Sequence, residues 1–371
     1  MIKYPLIKPN VDDLELNEIK NVLASGWLTQ GPYVEKFERE VAKYVGAKYA
    51  VAVTSCTAAL YLSLKALRIG RGDEVILPDF TFPATGNVVL ELGATPVLVD
   101  VKEDSFSIDP ESVNKALTKR TKAIIPVHPF GHPADMDEIM EIAESHGVWV
   151  IEDAATALGS IYKGRYAGTI GDVGCYSFHP RKLVTTGEGG MIVLNDEKLY
   201  EKLLTLRNHG KNKQGVFETY SLNFRMSDIQ AAIGCVQLKK LNKTIEERRR
   251  LAEIYHKLIT TTLPSFTPLK ERPNTYSTYQ SYVVKLPNCL RKQQKDIISE
   301  MRKHGIEIQI GTYALHLEKP FSLYAKYNSL PVSEMLRESV ITLPLYNSLK
   351  AGEINFIIGT LKNIVSVLTN K

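Results

Sequence analysis

One lysine, Lys182, stands where a nucleophilic side chain would be well placed. In GDVGCYSFHPRKLVTTGEGGMIVL (171–194), a predicted strand ends at Ser177 and Phe178 shortly before the lysine, and a GEGG turn follows it. A nucleophilic lysine needs a rigid base, a depressed pKa and room for its reaction partner, and a buried position between a strand and glycines provides all three. Taken alone, a lysine is usually a solvated charge, and GEGG matches neither a P-loop nor a dinucleotide-binding fingerprint. Lys182 becomes a candidate because of its position in the chain relative to two other segments.

These two segments place polar groups at the ends of apolar runs. Asp153 ends the run VWVIED, and Ser55 and Thr57 follow YAVAVT at the start of a predicted helix. Backbone N–H groups at a helix start suit a phosphate, and a carboxylate after a buried strand is held near the ligand edge of the sheet. Each segment also has a purely structural interpretation, because Ser55 or Thr57, and Asp153 with Glu152, could simply cap the helix that follows.

The elements that must position these residues form an alternating pattern. Seven short apolar runs alternate with helical patterns: YAVAVT (49–54), EVIL (74–77), PVLV (96–99), AIIPV (123–127), VWVI (148–151), CYSF (175–178) and MIVL (191–194). Apolar spacing predicts helices over 58–67 and 135–146, the second ending at Gly147. The alternation predicts an α/β fold, a mostly parallel mixed sheet flanked by helices, with ligands at the carboxyl ends of the strands.

The pattern of the sequence changes after about residue 238. Residues 238–263 are charged and helix-prone without strand runs, which predicts a connecting helix. The remaining pattern predicts a strand, a helix, a second short strand and a last helix, over 279–286, 291–304, 306–310 and the C-terminus. We therefore expect a large domain over residues 1–238, including an N-terminal arm, and a connecting helix with a smaller C-terminal α+β domain over 239–371.

Composition and charge argue against several classes of protein. The chain of 371 residues is 44% hydrophobic, enough for a continuous core, and its net charge of +5 is interleaved, which suits anionic small molecules and does not indicate a nucleic-acid partner. The four cysteines are scattered without a CxxC pair, which suggests reduced thiols. We see no signal-peptide pattern and no segment near the ~20 apolar residues of a membrane span. A soluble cytoplasmic protein is expected.

No metal site is predicted. His128 and His132 stand four residues apart, but Pro129, Gly131 and Pro133 exclude the helix that would direct both rings at one ion.

The segments around Lys182, Asp153 and Thr57, in this order, resemble the sugar aminotransferases of the DegT/DnrJ/StrS family. That family belongs to the aspartate-aminotransferase superfamily of pyridoxal-5′-phosphate (PLP) enzymes, fold type I. The resemblance covers nearly the whole chain, with weaker matches at 304–321 and 333–346 and stronger matches in GWLTQGPYVEKFE (26–38), SCTAAL (55–60), 72–101, AIIPVHPFGHPADM (123–136), EDAATALG (152–159), SFHPRKLVTTGEGGM (177–191) and LNFRMSDIQAAIGCVQL (222–238). It implies a PLP-dependent aminotransferase.

The resemblance implies roles for the catalytic residues. Lys182 would carry PLP as a Schiff base and would move the proton between the substrate carbon and the cofactor. Asp153 would pair with the pyridine nitrogen and keep it protonated, so that the ring accepts electrons. Phe82, in PDFTFPAT, would lie against one face of the ring. A branch of the family that dehydrates its substrate has histidine at the lysine position, and Lys182 argues against that branch.

The cofactor phosphate has its own implied partners. Thr57 and Ala58 would offer backbone and hydroxyl donors, as would the Ser177 hydroxyl. In this family an asparagine at the position of Asn223 reaches the phosphate from the neighbouring subunit. The resemblance therefore implies a homodimer with shared active sites.

Four further positions carry weaker implications. Family members often have Gln or His close to the cofactor where this chain has the shorter Thr156, whose hydroxyl could reach the cofactor edge or could satisfy a free backbone N–H. Arg225 and Tyr313 could contact the nucleotide diphosphate of a substrate or could be ordinary interface residues. His316 lies in a segment that approaches the substrate in the family, and a packed loop histidine is an equally good interpretation.

The implied reaction is a ping-pong transamination. L-glutamate would leave its amino group on the cofactor and depart as 2-oxoglutarate, and a nucleotide-linked keto sugar would then receive the group. A PLP enzyme of the same fold acting on an amino acid or an aminocyclitol is one alternative. A regulatory or sensory protein that keeps the fold without turnover is another, which the retained Lys182 and the lack of a helix-turn-helix pattern before residue 20 argue against.

Overall fold

The computed structural model describes residues 2–324 and 329–369. Its α-helices are α1 (Asp13–Ser25), α2 (Pro32–Val45), α3 (Cys56–Ala66), α4 (Ala84–Glu91), α5 (Pro110–Ala116), α6 (Met136–His146), α7 (Glu197–Arg207), α8 (Asp228–Thr262), α9 (Gln294–Lys303), α10 (Pro331–Ser339) and α11 (Ala351–Thr369). Its strands are β1 (Tyr49–Val53), β2 (Glu74–Pro78), β3 (Phe80–Thr81), β4 (Thr95–Val99), β5 (Thr121–Ile124), β6 (Trp149–Asp153), β7 (Ile161–Tyr162), β8 (Arg165–Tyr166), β9 (Val173–Ser177), β10 (Gly190–Leu194), β11 (Thr267–Pro268), β12 (Thr275–Tyr276), β13 (Tyr282–Lys285), β14 (Gln309–Ile310), β15 (Tyr313–Ala314) and β16 (Val340–Leu343).

A seven-stranded sheet forms the centre of the N-terminal part. Its strand order is β1-β10-β9-β6-β5-β2-β4. β10 is antiparallel to both of its neighbours, and the other neighbouring strands pair in parallel. Each of the seven predicted apolar runs contributes a strand to this sheet, so the predicted mostly parallel mixed sheet is confirmed.

Both faces of this sheet are covered by helices. In β1, Val51 and Val53 belong to a core formed with α3, α4 and α7, whereas Ala50 and Ala52 belong to a core formed with α2 and α8. A third core lies under α5 and α6. Successive side chains of a strand point to opposite faces, so continuous apolar runs are the pattern that a doubly covered sheet requires.

The C-terminal part has its own sheet and core. Strands β11, β13, β16 and β14 form an antiparallel sheet in that order. Its core includes Tyr4 from the N-terminal arm, together with residues of α8, α9 and α11. The strand predicted over 306–310 is shorter in the structure, where only Gln309 and Ile310 pair with β16.

Helix α8 connects the two parts and is longer than predicted. It begins at Asp228, ten residues before the predicted start at 238, and runs 35 residues without interruption. Ser227 and Gln230 form a capping box that fixes this start. The N-terminal half of the helix packs in a core of the large sheet and the C-terminal half packs in the C-terminal core, so the division predicted at residue 238 falls inside a continuous helix.

Among the described residues, α11 is the one helix with the length and composition to cross a membrane. Its Ile354, Ile357 and Leu361 are buried in the C-terminal core, which is the pattern of a core helix.

Candidate active site

The candidate site lies at the carboxyl ends of β6 and β9. Asp153 and Ser177 are the last residues of these two neighbouring parallel strands. Lys182 lies in the segment between β9 and β10, and it lines a small pocket with Ala155, Thr156 and Ser177. Because the ligand edge of an open α/β sheet is the edge at the carboxyl ends of its strands, the topology brings the predicted residues to the expected place.

Asp153 is a buried carboxylate held by two donors. Its Oδ2 accepts a hydrogen bond of 2.7 Å from the Thr85 hydroxyl, and its Oδ1 accepts one of 3.2 Å from the Ala155 N–H. Burial raises the pKa of the carboxyl, and the Thr85 hydrogen bond opposes that rise. Turns, not a helix, follow β6 up to residue 160, so the alternative that Asp153 caps a helix is wrong.

Lys182 is the partly buried amine of the pocket. Burial lowers its pKa, and electrostatic interactions with Cys56 and Asp153 act in the opposite direction. A lowered pKa increases the fraction of neutral, nucleophilic amine near neutral pH. Lys182 and Asp153 are close enough to interact electrostatically, because each opposes the effect of burial on the pKa of the other.

The start of α3 offers anion donors beside this space. Ser55 caps the helix by accepting a hydrogen bond of 3.1 Å from the Ala58 N–H, so the structural interpretation of Ser55 is confirmed and that N–H is already engaged. Thr57 is exposed, and its N–H has no hydrogen-bond partner among residues 2–324 and 329–369. The Ser177 oxygen accepts a hydrogen bond from His179 N, which leaves the Ser177 proton available to a ligand.

A glycine of the GEGG turn allows the helix start to approach the sheet. A Cβ atom at Gly190 would come within 2.4 Å of the Ser55 carbonyl carbon. Any other residue at this position would therefore push the start of α3 away from β10.

The predicted ring-stacking residue Phe82 and the pocket residue Thr156 have contacts of their own. The Phe82 ring is 64% exposed and lies edge-on to the ring of Tyr313, with the centroids 6.1 Å apart. The Thr156 hydroxyl donates a hydrogen bond of 2.6 Å to the His128 carbonyl. An exposed phenyl ring suits a flat ligand, whereas the Thr156 hydroxyl can only accept a bond from one because its proton is committed.

Residues 9–362 match the model of the DegT/DnrJ/EryC1/StrS aminotransferase family. The chain belongs to this family. Among its relatives is the GDP-perosamine synthase of Escherichia coli O157:H7, 35% identical over 369 residues that cover 98% of this chain and 100% of the relative.

Solved structures agree with this assignment. Helicobacter pylori PseC, an aminotransferase involved in the biosynthesis of pseudoaminic acid, superposes with a TM-score of 0.93 at 28% identity over 98% of this chain and 99% of that one. The PLP-form of the Streptococcus pneumoniae protein Spr1654, described as a sugar aminotransferase, superposes with a TM-score of 0.92 at 30% identity over 98% of each chain. The chain is thus a PLP-dependent sugar aminotransferase, as the resemblance implied.

The residues of this aminotransferase fit PLP. The buried Asp153 carboxylate keeps free lone pairs for a protonated ring nitrogen, and the Lys182 amine has a lowered pKa. Thr57 and Ser177 supply open donors for a phosphate, and Phe82 supplies an exposed ring. These residues therefore offer a carboxylate for the protonated ring nitrogen and hydrogen-bond donors for the phosphate.

Asp153 is supported by a buried network that the sequence did not reveal. The fully buried Glu152 carboxylate accepts hydrogen bonds from the N–H groups of Gly168, Ile170 and Gly171, at 2.6–2.7 Å. It also accepts one of 2.8 Å from His128 Nε2, since His128 Nδ1 is occupied as an acceptor for Ala134 N. The backbone N–H of His128 in turn donates a hydrogen bond to the Asp153 carbonyl. These hydrogen bonds hold the backbone of Asp153 in place.

Asn223, which the resemblance assigns to the cofactor phosphate, and the predicted substrate residues Arg225 and His316 have contacts within this chain. Asn223 is exposed, and its Oδ1 accepts a hydrogen bond of 3.1 Å from Arg225 N. The Arg225 guanidinium donates to the side chain of Asn208. The ring of His316 bonds the Asp79 carboxylate at 2.7 Å and the Glu334 carboxylate at 3.2 Å, so both ring nitrogens already have protein partners.

Sequence reasoning missed Thr85 as a functional residue. It stands three positions after Phe82 in PDFTFPAT, a segment that the resemblance had already marked. The signal was therefore present in the motif, but the contact with Asp153 joins residues 68 positions apart.

Proposed function

We propose that the enzyme carries PLP as a Schiff base on Lys182 and transfers an amino group from L-glutamate to a nucleotide-linked keto sugar. The observation that carries the proposal is the combination of an amine of lowered pKa, in the segment after β9, with a buried carboxylate at the end of the neighbouring strand β6. The name of the relative GDP-perosamine synthase supports a nucleotide-linked sugar as the substrate class.

Bound PLP would supply an electron sink that stabilises the negative charge left when the substrate carbon loses a proton. The Lys182 amine would take up that proton and return it at the neighbouring carbon. The Asp153 carboxylate, whose ionised form the Thr85 hydrogen bond favours, would hold the ring nitrogen protonated. Phe82 would cover one ring face, and the Thr156 hydroxyl would accept from the cofactor edge.

The phosphate would be bound by the start of α3 and by Ser177. The Thr57 N–H and hydroxyl and the Ser177 hydroxyl are the direct donors of this proposal. Because the Ala58 N–H already bonds Ser55, Ala58 would contribute through a shared hydrogen bond. Asn223 would come from the neighbouring subunit of a homodimer, and Arg225, Tyr313 and His316 would line the approach of the substrate.

The proposal is tested by locating the cofactor. Borohydride reduction of the yellow holoenzyme should fix PLP covalently to Lys182, as read by peptide mapping. Lys182→Ala should still bind PLP noncovalently and lose most turnover, because the phosphate contacts and Asp153 remain. Asp153→Asn should slow proton abstraction with a smaller effect on cofactor retention. A label on another lysine would overturn the assignment.

The substrate class needs a separate test. Stopped-flow half-reactions should convert the cofactor to its amine form with L-glutamate, and nucleotide-linked keto sugars should reverse this. Reversal only by an aminocyclitol ketone or by a keto acid would replace the sugar in the proposal and leave Lys182 and Asp153 in their roles.

A further inference from the structure

The Lys182 peptide lies outside regular secondary structure and is fastened by contacts from the C-terminal part. The Gln280 side chain donates a hydrogen bond of 2.8 Å from Nε2 to the carbonyl of Arg181, the residue before the lysine. Arg181 Nη1 donates in turn to Gln309 Oε1 on β14, at 3.1 Å. Within the segment itself, Lys182 N donates to the His179 carbonyl at 2.8 Å. The lysine therefore depends on residues about a hundred positions further along the chain.

Gln280 is itself held rigidly. Its side chain is only 4% exposed, and Ser281 Oγ bonds its Oε1 at 3.1 Å, which orients the amide with Nε2 toward Arg181. The residue before it, Tyr279, has a φ of 45°, in the left-handed region that non-glycine residues rarely adopt. A donor fixed in this way holds its acceptor in one position.

A buried arginine fixes the Gln280 backbone. Arg248 on α8 is 2% exposed and donates from Nη1 to the Gln280 carbonyl at 2.7 Å. It has no ion pair among residues 2–324 and 329–369, and burial lowers its pKa to about 10. Burying a guanidinium without a carboxylate is unfavourable for stability, so packing alone gives little reason for its position.

Gln280 also forms part of the pocket wall beside Lys182, Ala155 and Thr156. We propose that Gln280 is a positioning residue of this enzyme: it fixes the peptide that carries Lys182 and thereby the place to which the amine returns in each half-reaction. The inference rests on the proposed role of Lys182. Displacement of a reacting group by about 1 Å can cost up to 10²-fold in rate, so a loosened peptide is expected to affect kcat.

Gln280→Met tests this inference, because methionine has a similar volume and no donor. We expect kcat to fall about tenfold with a smaller change in KM, and the pH dependence of the bound cofactor's visible absorbance to shift, because the amine's surroundings change. Gln294→Met is the matched control: Gln294 is also buried in the C-terminal part and donates to the carbonyls of Arg337 and Val340, at 3.1 and 2.9 Å. It should lower thermal stability without shifting the absorbance titration.

Ser281→Ala provides a milder test should Gln280→Met fail to fold. It removes only the bond that orients the Gln280 amide, so the titration should shift in the same direction by less. Folded Gln280→Met and Ser281→Ala enzymes with wild-type titrations and wild-type kcat would overturn the inference. Borohydride labelling of the wild-type enzyme separates the two proposals, because a label on a lysine other than Lys182 defeats the proposed function whatever Gln280 does.

Discussion

At the scale of single residues, the Thr85 hydroxyl favours the ionised form of Asp153. The hydroxyl donates to a buried carboxylate whose pKa is already raised by burial. Thr85→Val deletes the donor and keeps the shape. Because loss of a hydrogen bond to the ionised form raises the pKa, we expect the acidic limb of the kcat–pH profile to move to higher pH. We also expect kcat to fall on the order of tenfold, equivalent to about 1.4 kcal/mol.

Thr85→Ser is the control for this prediction, since it keeps the hydroxyl and removes only a methyl group. It should retain the wild-type pH profile. If the valine variant also kept that profile while its Tm fell, the hydrogen bond would serve the fold and not the ionisation of Asp153.

Thr156 is the residue at which this chain departs from the commoner family pattern. Its hydroxyl proton is used on the His128 carbonyl, so it can influence the cofactor only as an acceptor. For Thr156→Val we expect a shifted pH dependence of the cofactor's absorbance with PLP affinity little changed, and a stability loss of about 1 kcal/mol from the broken bond. An unshifted titration with lower thermal stability would restrict Thr156 to its backbone contact.

The residues that the sequence brings out are those at strand ends. Lys182, Asp153 and Ser177 follow apolar runs, and such positions converge at one edge of the sheet whatever the loops do. Thr85 and Gln280 could not be found in this way, because each acts through a hydrogen bond across a long sequence separation. Spacing carries no information about such pairs.

At the scale of elements, local patterns predicted the central sheet well and the element ends less well. The seven runs were clear because strands buried on both faces are continuously apolar. The start of α8 was missed because its residues before 238 are mostly apolar and pack on α2, whereas the charged stretch that signalled the helix begins at 238. In the run over 306–310, Ile306 and Ile308 are buried in the core without belonging to a strand.

The His316 ring joins two other segments of the chain and makes stability depend on pH. His316 bonds Asp79, between β2 and β3, and Glu334 on α10, and the Asp79 hydrogen bond raises the pKa of His316 above 6.5. A group whose pKa is raised by folding contributes stability that is complete below its unfolded pKa and is lost as the pH rises through the folded value. His316→Gln should therefore lower Tm most at pH 6, and the difference from wild type should shrink toward pH 9.

Thermal melts across this range check the prediction. His146→Gln, which alters an exposed histidine on α6, is the control. Its Tm difference from wild type should not change with pH in this way. A His316→Gln deficit that stayed constant with pH would mean that the ring acts by packing and not by its charge.

At the scale of the whole molecule, one exposed segment is a candidate surface for contact with a second subunit. The segment 211–220 is exposed at every position except 212, and it carries Phe217 at 68% and Tyr220 at 85% exposure. Leu222 and Trp27 add further exposed apolar surface. Exposed apolar side chains in such number are typical of an interaction surface. They support the proposed homodimer, whose neighbouring subunit would bring Asn223 to the phosphate.

Subunit mixing tests whether the active sites are shared. Lys182→Ala removes the amine, and Asn223→Asp places a negative charge where the phosphate would be, with almost no change of shape. Each variant alone should be inactive. If Asn223 acts across the interface, one of the two sites in a mixed dimer has both wild-type residues, Lys182 from one chain and Asn223 from the other. Random pairing should therefore restore about a quarter of wild-type activity, because half of the dimers are mixed and each has one intact site. If Asn223 serves its own chain, every site keeps one defect, and mixed dimers verified by differential tagging will show no rescue.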